Sequence, residues 1–578
     1  MSAPSSFEVW APAAERVEID LGGRRQAMSP TFGGWWRVEV IGAPAGSDYR
    51  FVLDRGDPVP DPRAAWQPAG VHGPSRTVDH RAFEWTDGAW RGTHLPSSIL
   101  YEIHIGTFTP EGTFEAAIER LDHLVALGID AVELMPVAQF PGNHGWGYDG
   151  VDLYAPHHGY GGPRGLKRLV DACHGRGLGV IVDVVYNHLG PDGNYLGRFG
   201  PYFTDRYGTP WGAAVNLDCS GSDEVRRFFI DNARMWLRDY HADGLRLDAV
   251  HAIVDTSALH FLEELSAAVA SLARHLGRHL FLIAESDLND PRPVWPREAG
   301  GYGLDAVWSD DFHHALHGAL TGELHGYYQD YGSLSDVARA LESAYVYEGQ
   351  YSKYRERCHG RTSAGVPASR FLGYLQNHDQ VGNRARGERT GHLISTDLLK
   401  VGAALVLTAP FVPMLFQGEE WAAASPFPYF CDHQDPELAA AVSEGRRREF
   451  EAFGWSAEEI FDPQDPDTFQ QAKLNWAEIA RSPHNEILAW HRALIDLRRR
   501  VPDLSNGGLG GTRAGADEAT RTLLVERGSV AVAANFSEEP RRVAVRGGRR
   551  LLLASSDRVA IQGQKVTLPP ESVAIVEA

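Results

Sequence analysis

From about residue 97 the chain alternates short apolar runs with stretches of helical periodicity, and that alternation admits few folds. The runs fall at 99–104, 131–135, 179–183, 244–248, 280–284, 306–308, 371–375 and 412–416. Strands that are apolar throughout are buried on both faces, as in a parallel sheet whose crossovers are helices. Eight such strands close into a (β/α)8 barrel, so the predicted fold class is α/β, a TIM barrel. Between them lie helical segments such as 114–124, where Ile118, Leu121 and Leu124 share one face, and a last helix over 485–500.

At 578 residues the chain is longer than a barrel needs, and its ends read differently from its middle. Residues 1–93 carry alternating runs such as 16–21 and 36–41 between Gly and Pro clusters, the pattern of a small β-sandwich. Its Trp10, Trp35, Trp36 and Tyr49 serve either as core or as a sugar-stacking platform, as in a carbohydrate-binding module, with core the default. The barrel is assigned to 94–502, with long insertions at about 188–222 and 326–366, the latter carrying Tyr345, Tyr347, Tyr351 and Tyr354. Long loops on the strand-end side of a barrel shape its cleft. Past the Gly-rich 505–511 stretch, the runs 521–525 and 529–533 predict a C-terminal antiparallel β domain over 503–578.

Acidic residues outnumber basic ones 76 to 55, which disfavours nucleic acid and anionic membranes as partners and suits a neutral substrate. Cys173, Cys219, Cys358 and Cys431 are dispersed, with neither a C-x-x-C pair nor finger spacing, as expected for reduced thiols in a cytoplasmic protein. No basic-then-apolar leader opens the sequence and no apolar stretch of about 20 residues follows, so a soluble, unexported protein is expected, with a monomer as the default because the sequence carries no signal for its oligomeric state.

Several runs end in a carboxylate: Asp248 in 244–248, Glu285 after 281–284, Asp379 after 374–378, and Asp183 in 180–183. Carboxylates at the C-terminal ends of barrel strands converge on one crevice. Cleaving a glycoside with retention requires an ionised carboxylate to attack the anomeric carbon and a protonated one to release the leaving oxygen. Asp248 fits the nucleophile, because Arg246 two residues earlier points to the same side and holds it ionised. Glu285, following an apolar run, fits the acid/base, because desolvation raises a carboxyl pKa. Asp379 is placed to stabilise an oxocarbenium-like transition state, with His188 and His378 as hydrogen-bond donors and Tyr148 as a stacking platform. Asp183 reads as a structural partner that orients Arg246.

The segments Asp183-Val-Val-Tyr-Asn-His188, Gly244-Leu-Arg-Leu-Asp248, Ala284-Glu-Ser286 and Asn377-His-Asp379 resemble, in order and spacing, the four signature regions of the α-amylase superfamily, glycoside hydrolase family 13. The resemblance implies Asp248 as nucleophile, Glu285 as proton donor, Asp379 as transition-state stabiliser, and Arg246, His188, His378 and Tyr148 as direct sugar contacts. Within the superfamily, 243–253, 284–290, 308–314, 375–384, 450–455 and 462–466 are similar to the maltooligosyltrehalose trehalohydrolases. That branch implies hydrolysis of the α-1,4 bond beside a terminal α,α-trehalose. The substrate would be maltooligosyl trehalose or a related α-glucan, supplied by a maltooligosyltrehalose synthase for trehalose biosynthesis. Leaving-group contacts are then expected from His251, Asp310, Asp311, His313, His314, Gln380 and Asn383. A branching or debranching enzyme of the same superfamily is the alternative, and a non-catalytic glucan-binding barrel a remoter one.

No cofactor or metal is expected. The loop after His188 is short for a calcium-holding domain, and Asp192, Asp205 and Asp218 are scattered loop acids. The pairs His157-His158 and His313-His314 lack metal-ligand spacing, and the Gly-rich 159–165 lacks the Lys-Ser/Thr of a phosphate loop. The basic runs 446–448 and 498–500 read as solvated faces.

Overall fold

A computed structural model describes residues 5–451, 460–547 and 550–577. Its centre is a closed ring of eight parallel strands, β1 Leu100–Ile103, β2 Ala131–Leu134, β3 Gly179–Val184, β4 Gly244–Leu247, β5 Phe281–Ala284, β6 Ala306–Trp308, β7 Phe371–Gly373 and β8 Val412–Phe416. All eight apolar runs become barrel strands, and each strand residue is buried.

Side chains alternate between the two faces of a strand, so positions two apart climb the interior of the ring. The floor is apolar: Leu100, Ala131, Ile181, Ile283, Ala306, Leu372 and Val412 form one buried cluster. One step higher on the first four strands the inward residues are Glu102, Glu133, Asp183 and Arg246: Glu102 pairs with Glu133 across β1 and β2 and Asp183 with Arg246 across β3 and β4, while Glu133 lies opposite Ile181 on β3. Another step brings Asp248 and, beyond β5, Glu285 to the mouth. The polar site thus stands on a dry base that fixes the strand spacing.

The outer helices bury one stripe each. Ser222–Asp239 turns Val225, Phe228, Phe229, Ala233 and Trp236 inward and carries Asp223 and Glu224 in its first turn, where they favour the helix dipole. Phe261–Leu276 stops at Gly277, whose φ of 63° disfavours a residue with a side chain. The last helix is His484–Arg500. The segment expected as one helix over 114–124 is two, Phe114–Ile118 and Leu121–Leu127, because the backbone leaves helical hydrogen bonding at Arg120 and each piece buries its own apolar residues.

The N-terminal part forms a three-stranded and a four-stranded antiparallel sheet. Trp10, Trp36 and Tyr49 are buried in their core, and Trp10 meets Tyr202 of the barrel insertion edge-on at 5.4 Å. Trp35 is half-buried with the Arg63 guanidinium 5.5 Å from its ring. These aromatics therefore hold the sandwich together and against the barrel, and do not form an open stacking platform.

The C-terminal part is a five-stranded and a three-stranded antiparallel sheet between Thr512 and Glu577. Within the 326–366 insertion, helix Leu334–Ser343 packs between helix Asp310–Thr321 and strand Thr512–Asp517, so part of that loop joins domains and does not shape the cleft. Arg498, expected on a solvated face, is buried and donates to the carbonyls of Leu407, Ala409 and Phe411, which closes the end of helix Thr396–Thr408.

Candidate active site

A cavity of about 460 Å³ opens at the C-terminal mouth of the ring. Among its walls stand Asp248, Glu285 and Asp379, with Tyr148, His188, Arg246, His251, Asp310, His378, Gln380 and Asn383. Residues scattered over more than two hundred positions of sequence meet here because each follows, or lies near, the end of a strand of the same ring.

Arg246 organises the centre. Its Nη1 donates to both oxygens of Asp183, at 3.0 and 2.9 Å, and to Asp248 Oδ1 at 2.8 Å. Its Nη2 lies 3.7 Å from Glu285 Oε2, and the guanidinium carbon sits 4.4 Å from the Trp308 ring centroid. One cation thus touches three carboxylates and an aromatic face.

The two carboxylates at the mouth are biased in opposite directions. Burial alone would push Asp248 up, but Arg246, His188 and the Asn187 amide outweigh it and hold the carboxyl below its ordinary value. That amide donates to Asp248 Oδ2 at 2.7 Å. Glu285 is pushed by burial up to about 8, against the pull of Arg246 and with Asp248 and Asp310 adding to the rise. Its Oε2 accepts the Ala249 N–H at 2.5 Å. An ionised and a protonated carboxylate side by side are the two states that glycoside cleavage with a covalent intermediate requires.

Asp379 lies in helix His378–Gly382, whose N-cap Asn377 accepts from the amides of Asp379 and Gln380. Asn383 Nδ2 donates to Asp379 Oδ1 at 2.6 Å. His378 bonds Glu102 through Nδ1 and stands 2.8 Å from the Tyr148 hydroxyl through Nε2. Tyr148 stacks on His378 with centroids 5.2 Å apart, and its hydroxyl donates to Asp183 at 2.6 Å. His188 bonds Asn187 and lies flat against Trp211, 4.4 Å away and 4° from parallel. Asp310 accepts from the Tyr374 hydroxyl, and burial raises its carboxyl to about 7. His251 faces Asp287 at 3.8 Å.

Asp311, His313 and His314 are not among the residues at the cavity. Asp311 is buried and accepts from Tyr331, Asn289 and the amides of Val346 and Tyr347, which ties down the 326–366 insertion. His313 bridges the Leu375 carbonyl and the Tyr328 hydroxyl. His314 packs among Tyr327, Tyr328 and Tyr331. The physical reason is that a helix starts at Asp310, so only its first residue reaches the mouth while the next turn sinks into packing.

The sequence reading missed Trp146, Asp149, Trp211, Trp308, Tyr429 and Arg446, all of which line the cavity. Arg446 donates to Gly382 O and Asn383 Oδ1 and lies over the Tyr429 ring, where a solvated face was expected. Among the described residues no cluster of three His, Cys, Asp or Glu has the arrangement of a metal site. Of the expected motif at 450–455, residues 452–455 lie outside the described residues.

A family profile for the alpha amylase catalytic domain matches residues 78–200, and one for a domain of unknown function, DUF3459, matches 507–575. The malto-oligosyltrehalose trehalohydrolase of Rhizobium sp. (strain M-11) is 50% identical over 580 residues, 99% of this chain and 97% of the relative. That of Saccharolobus solfataricus is 45% identical over 495 residues, covering 86% of this chain and 85% of the relative. A solved Salmonella typhimurium structure under an alpha amylase name superposes with a TM-score of 0.92 at 37% identity, over 100% of this chain and 98% of that one. A pullulanase of Paenibacillus barengoltzii, solved with maltotriose, shares the fold at a TM-score of 0.74 and 18% identity, over 100% of this chain and 95% of that one. With a barrel mouth of this composition and relatives about half identical along nearly its whole length, the chain belongs to the malto-oligosyltrehalose trehalohydrolase family of the α-amylase superfamily.

Proposed function

We propose that the protein hydrolyses the α-1,4-glucosidic bond next to the terminal α,α-trehalose of a maltooligosyl trehalose and releases trehalose. The observation that carries the chemistry is the opposite bias of two adjacent carboxyls around one guanidinium, Asp248 held ionised and Glu285 held protonated. The family supplies the substrate.

In this reading Asp248 attacks the anomeric carbon while the Glu285 proton passes to the glycosidic oxygen, so the carbon–oxygen bond breaks and trehalose leaves with a hydroxyl. Glu285, now ionised, takes a proton from water. The resulting hydroxide displaces Asp248 from the anomeric carbon, and both residues return to their starting states with configuration retained. Asp379 faces the ring as positive charge builds, and Tyr148, His188, Arg246 and His378 hold the sugar. His251, Asp310, Gln380 and Asn383 are the contacts proposed for the trehalose side, since all four reach the cavity. Asp311, His313 and His314 act at one remove, by fixing the insertion beside it.

The partner would be a maltooligosyltrehalose synthase through the shared intermediate, with the enzyme acting as a cytoplasmic monomer. No described helix is long and apolar enough to cross a membrane.

Incubation with maltooligosyl trehalose should release trehalose, and with an α-1,6-branched glucan should release nothing comparable. Asp248→Asn should abolish turnover while glucan binding by calorimetry persists. Turnover by that variant at the wild-type rate would remove Asp248 from the nucleophile role, and preferential action on branch points would make the enzyme a debranching hydrolase.

A further inference from the structure

Glu102 belongs to no catalytic motif and does not reach the cavity, yet it spends its whole carboxylate on one active-site residue. It lies on β1, buried, with Oε2 accepting the His378 backbone N–H at 3.0 Å and Oε1 facing His378 Nδ1. On the opposite side of the ring, His378 Nε2 is 2.8 Å from the Tyr148 hydroxyl. That hydroxyl has one proton, and Asp183 Oδ2 stands 2.6 Å away to receive it. Arg246 engages both oxygens of Asp183 and also lies 3.4 Å from the Tyr148 oxygen. The phenol oxygen is therefore left as an acceptor toward His378, and the carboxylate of Glu102 is an acceptor at the other nitrogen. With acceptors at both ends the imidazole carries two protons.

We infer that Glu102 is a positioning residue for the hydrolysis: it locks the His378 ring in one orientation and keeps it an imidazolium, so that Nε2 remains a donor at the cavity wall. This rests on the reading of the site given above. The titratable and charged groups around the ring are Glu102 on β1, His104 beyond it, Tyr148 after β2, Asp183 on β3, Arg246 on β4 and Asp379 on its own helix, of which burial keeps His104 and Tyr148 neutral. Burial works against the cation, and Glu102 overcomes it to leave His378 raised above its ordinary value. A carboxylate behind a functional imidazole fixes its tautomer and orientation in this manner in other enzymes as well.

Three measurements on the full chain test it. Nitrogen NMR of the imidazoles at neutral pH, with the His378 signal identified by its loss in His378→Gln, should show both ring nitrogens protonated in the wild type. In Glu102→Gln the same ring should be neutral. A neutral ring in the wild type overturns the inference, whether or not the variant folds. In kinetics, Glu102→Gln should lower kcat/KM for trehalose release by about 10- to 100-fold and move the alkaline limb of the pH profile to lower pH. Glu102→Asp, which restores the charge, should bring the limb back toward higher pH. A Glu102→Gln profile that is scaled down without any movement of the limb would make the residue merely structural and sink the proposal. Because the ring's charge is read without substrate, failure of the substrate assignment leaves the NMR result to stand or fall by itself.

Discussion

Replacing Glu285 by Gln should remove that carboxyl's part of the alkaline limb of the activity profile, and the size of the effect follows from the site. The carboxyl is buried, and it is lifted from an ordinary 4.5 to about 8 by that burial, with Asp248 and Asp310 adding and Arg246 opposing. A rise of that size corresponds to about 5 kcal/mol of penalty on the charged form. The site thus spends a large desolvation cost to keep one proton in place at neutral pH. The acid works while protonated, so kcat/KM should fall as pH rises through about 8. The nucleophile works while ionised, so the acid limb should lie at low pH, below the ordinary carboxyl value, because Asp248 is held down.

Gln cannot donate the proton, so Glu285→Gln should lose about 100- to 10,000-fold in kcat on a maltooligosyl trehalose, the usual share of general acid catalysis. Release of trehalose would be followed by initial rates between about pH 4 and 10. A second substrate separates the role from a loss of shape: an aryl α-glucoside with an acidic phenol as leaving group needs little protonation, so its bond cleavage should be far less affected. The reasoning fails if both substrates suffer equally, or if the residual activity of the variant keeps the wild-type alkaline limb unmoved.

Two further outcomes follow from contacts outside the acids. Trp211 is half-exposed at the tip of the hairpin Phe203–Thr209 and Gly212–Val215 and stacks on His188, so Trp211→Ala should cost the fold no more than that one stack and lower the melting temperature only slightly. Because the indole lines the cavity, losing its contact with the sugar, if of the size of an aromatic pair at about 0.5–1.5 kcal/mol, should raise KM by roughly 2- to 10-fold, read from initial rates; an unchanged KM would remove Trp211 from the sugar path. At the other end of the barrel, His174 is clamped between Asp87 at 2.8 Å and Asp243 at 3.0 Å. Burial opposes its charge, the two carboxylates prevail, and its pKa is raised, so the stability it contributes is full below the unfolded value and lost as pH rises through the folded one. Urea unfolding should therefore show wild-type stability declining above about pH 6.5, and His174→Gln should flatten that decline while lowering stability at neutral pH by about 1–3 kcal/mol.

The barrel was legible because parallel strands are buried on both faces and write themselves as unbroken apolar runs, each followed by helical spacing. The placement of Asp248, Glu285 and Asp379 at one cavity was legible for a related reason, since a carboxylate shortly after such a run has left the packed ring and stands at its mouth. Two charges inside the runs carried a signal that went unread: Glu102 in Leu100–Ile103 and Glu133 in Ala131–Leu134. A carboxylate in the middle of a strand buried on both faces must find a partner or give up its charge. Glu102 found His378, whereas Glu133, with no hydrogen-bond partner and Glu102 and Asp183 nearby, is pushed far up by burial first and by those neighbours after it.

What could not be read is what depends on where a loop returns. Trp211, Tyr429 and Arg446 reach the mouth from a hairpin and from segments after β8, and nothing in their local sequence encodes that approach. His313 and His314 illustrate the converse. Their residue types suited a sugar site, but position decided otherwise, because the helix beginning at Asp310 leaves only that residue at the cavity and turns the histidines into the tyrosine packing behind it. Side-chain chemistry therefore identified which residues could act, and strand ends identified those that reach the cavity. The division of labour among the acids came from neither alone: Asp248 and Glu285 are both buried beside the same guanidinium, and the 2.8 Å contact to one against 3.7 Å to the other, with His188 and the Asn187 amide supporting Asp248 and with Asp248 and Asp310 acting against Glu285, lets burial win at Glu285 and lose at Asp248.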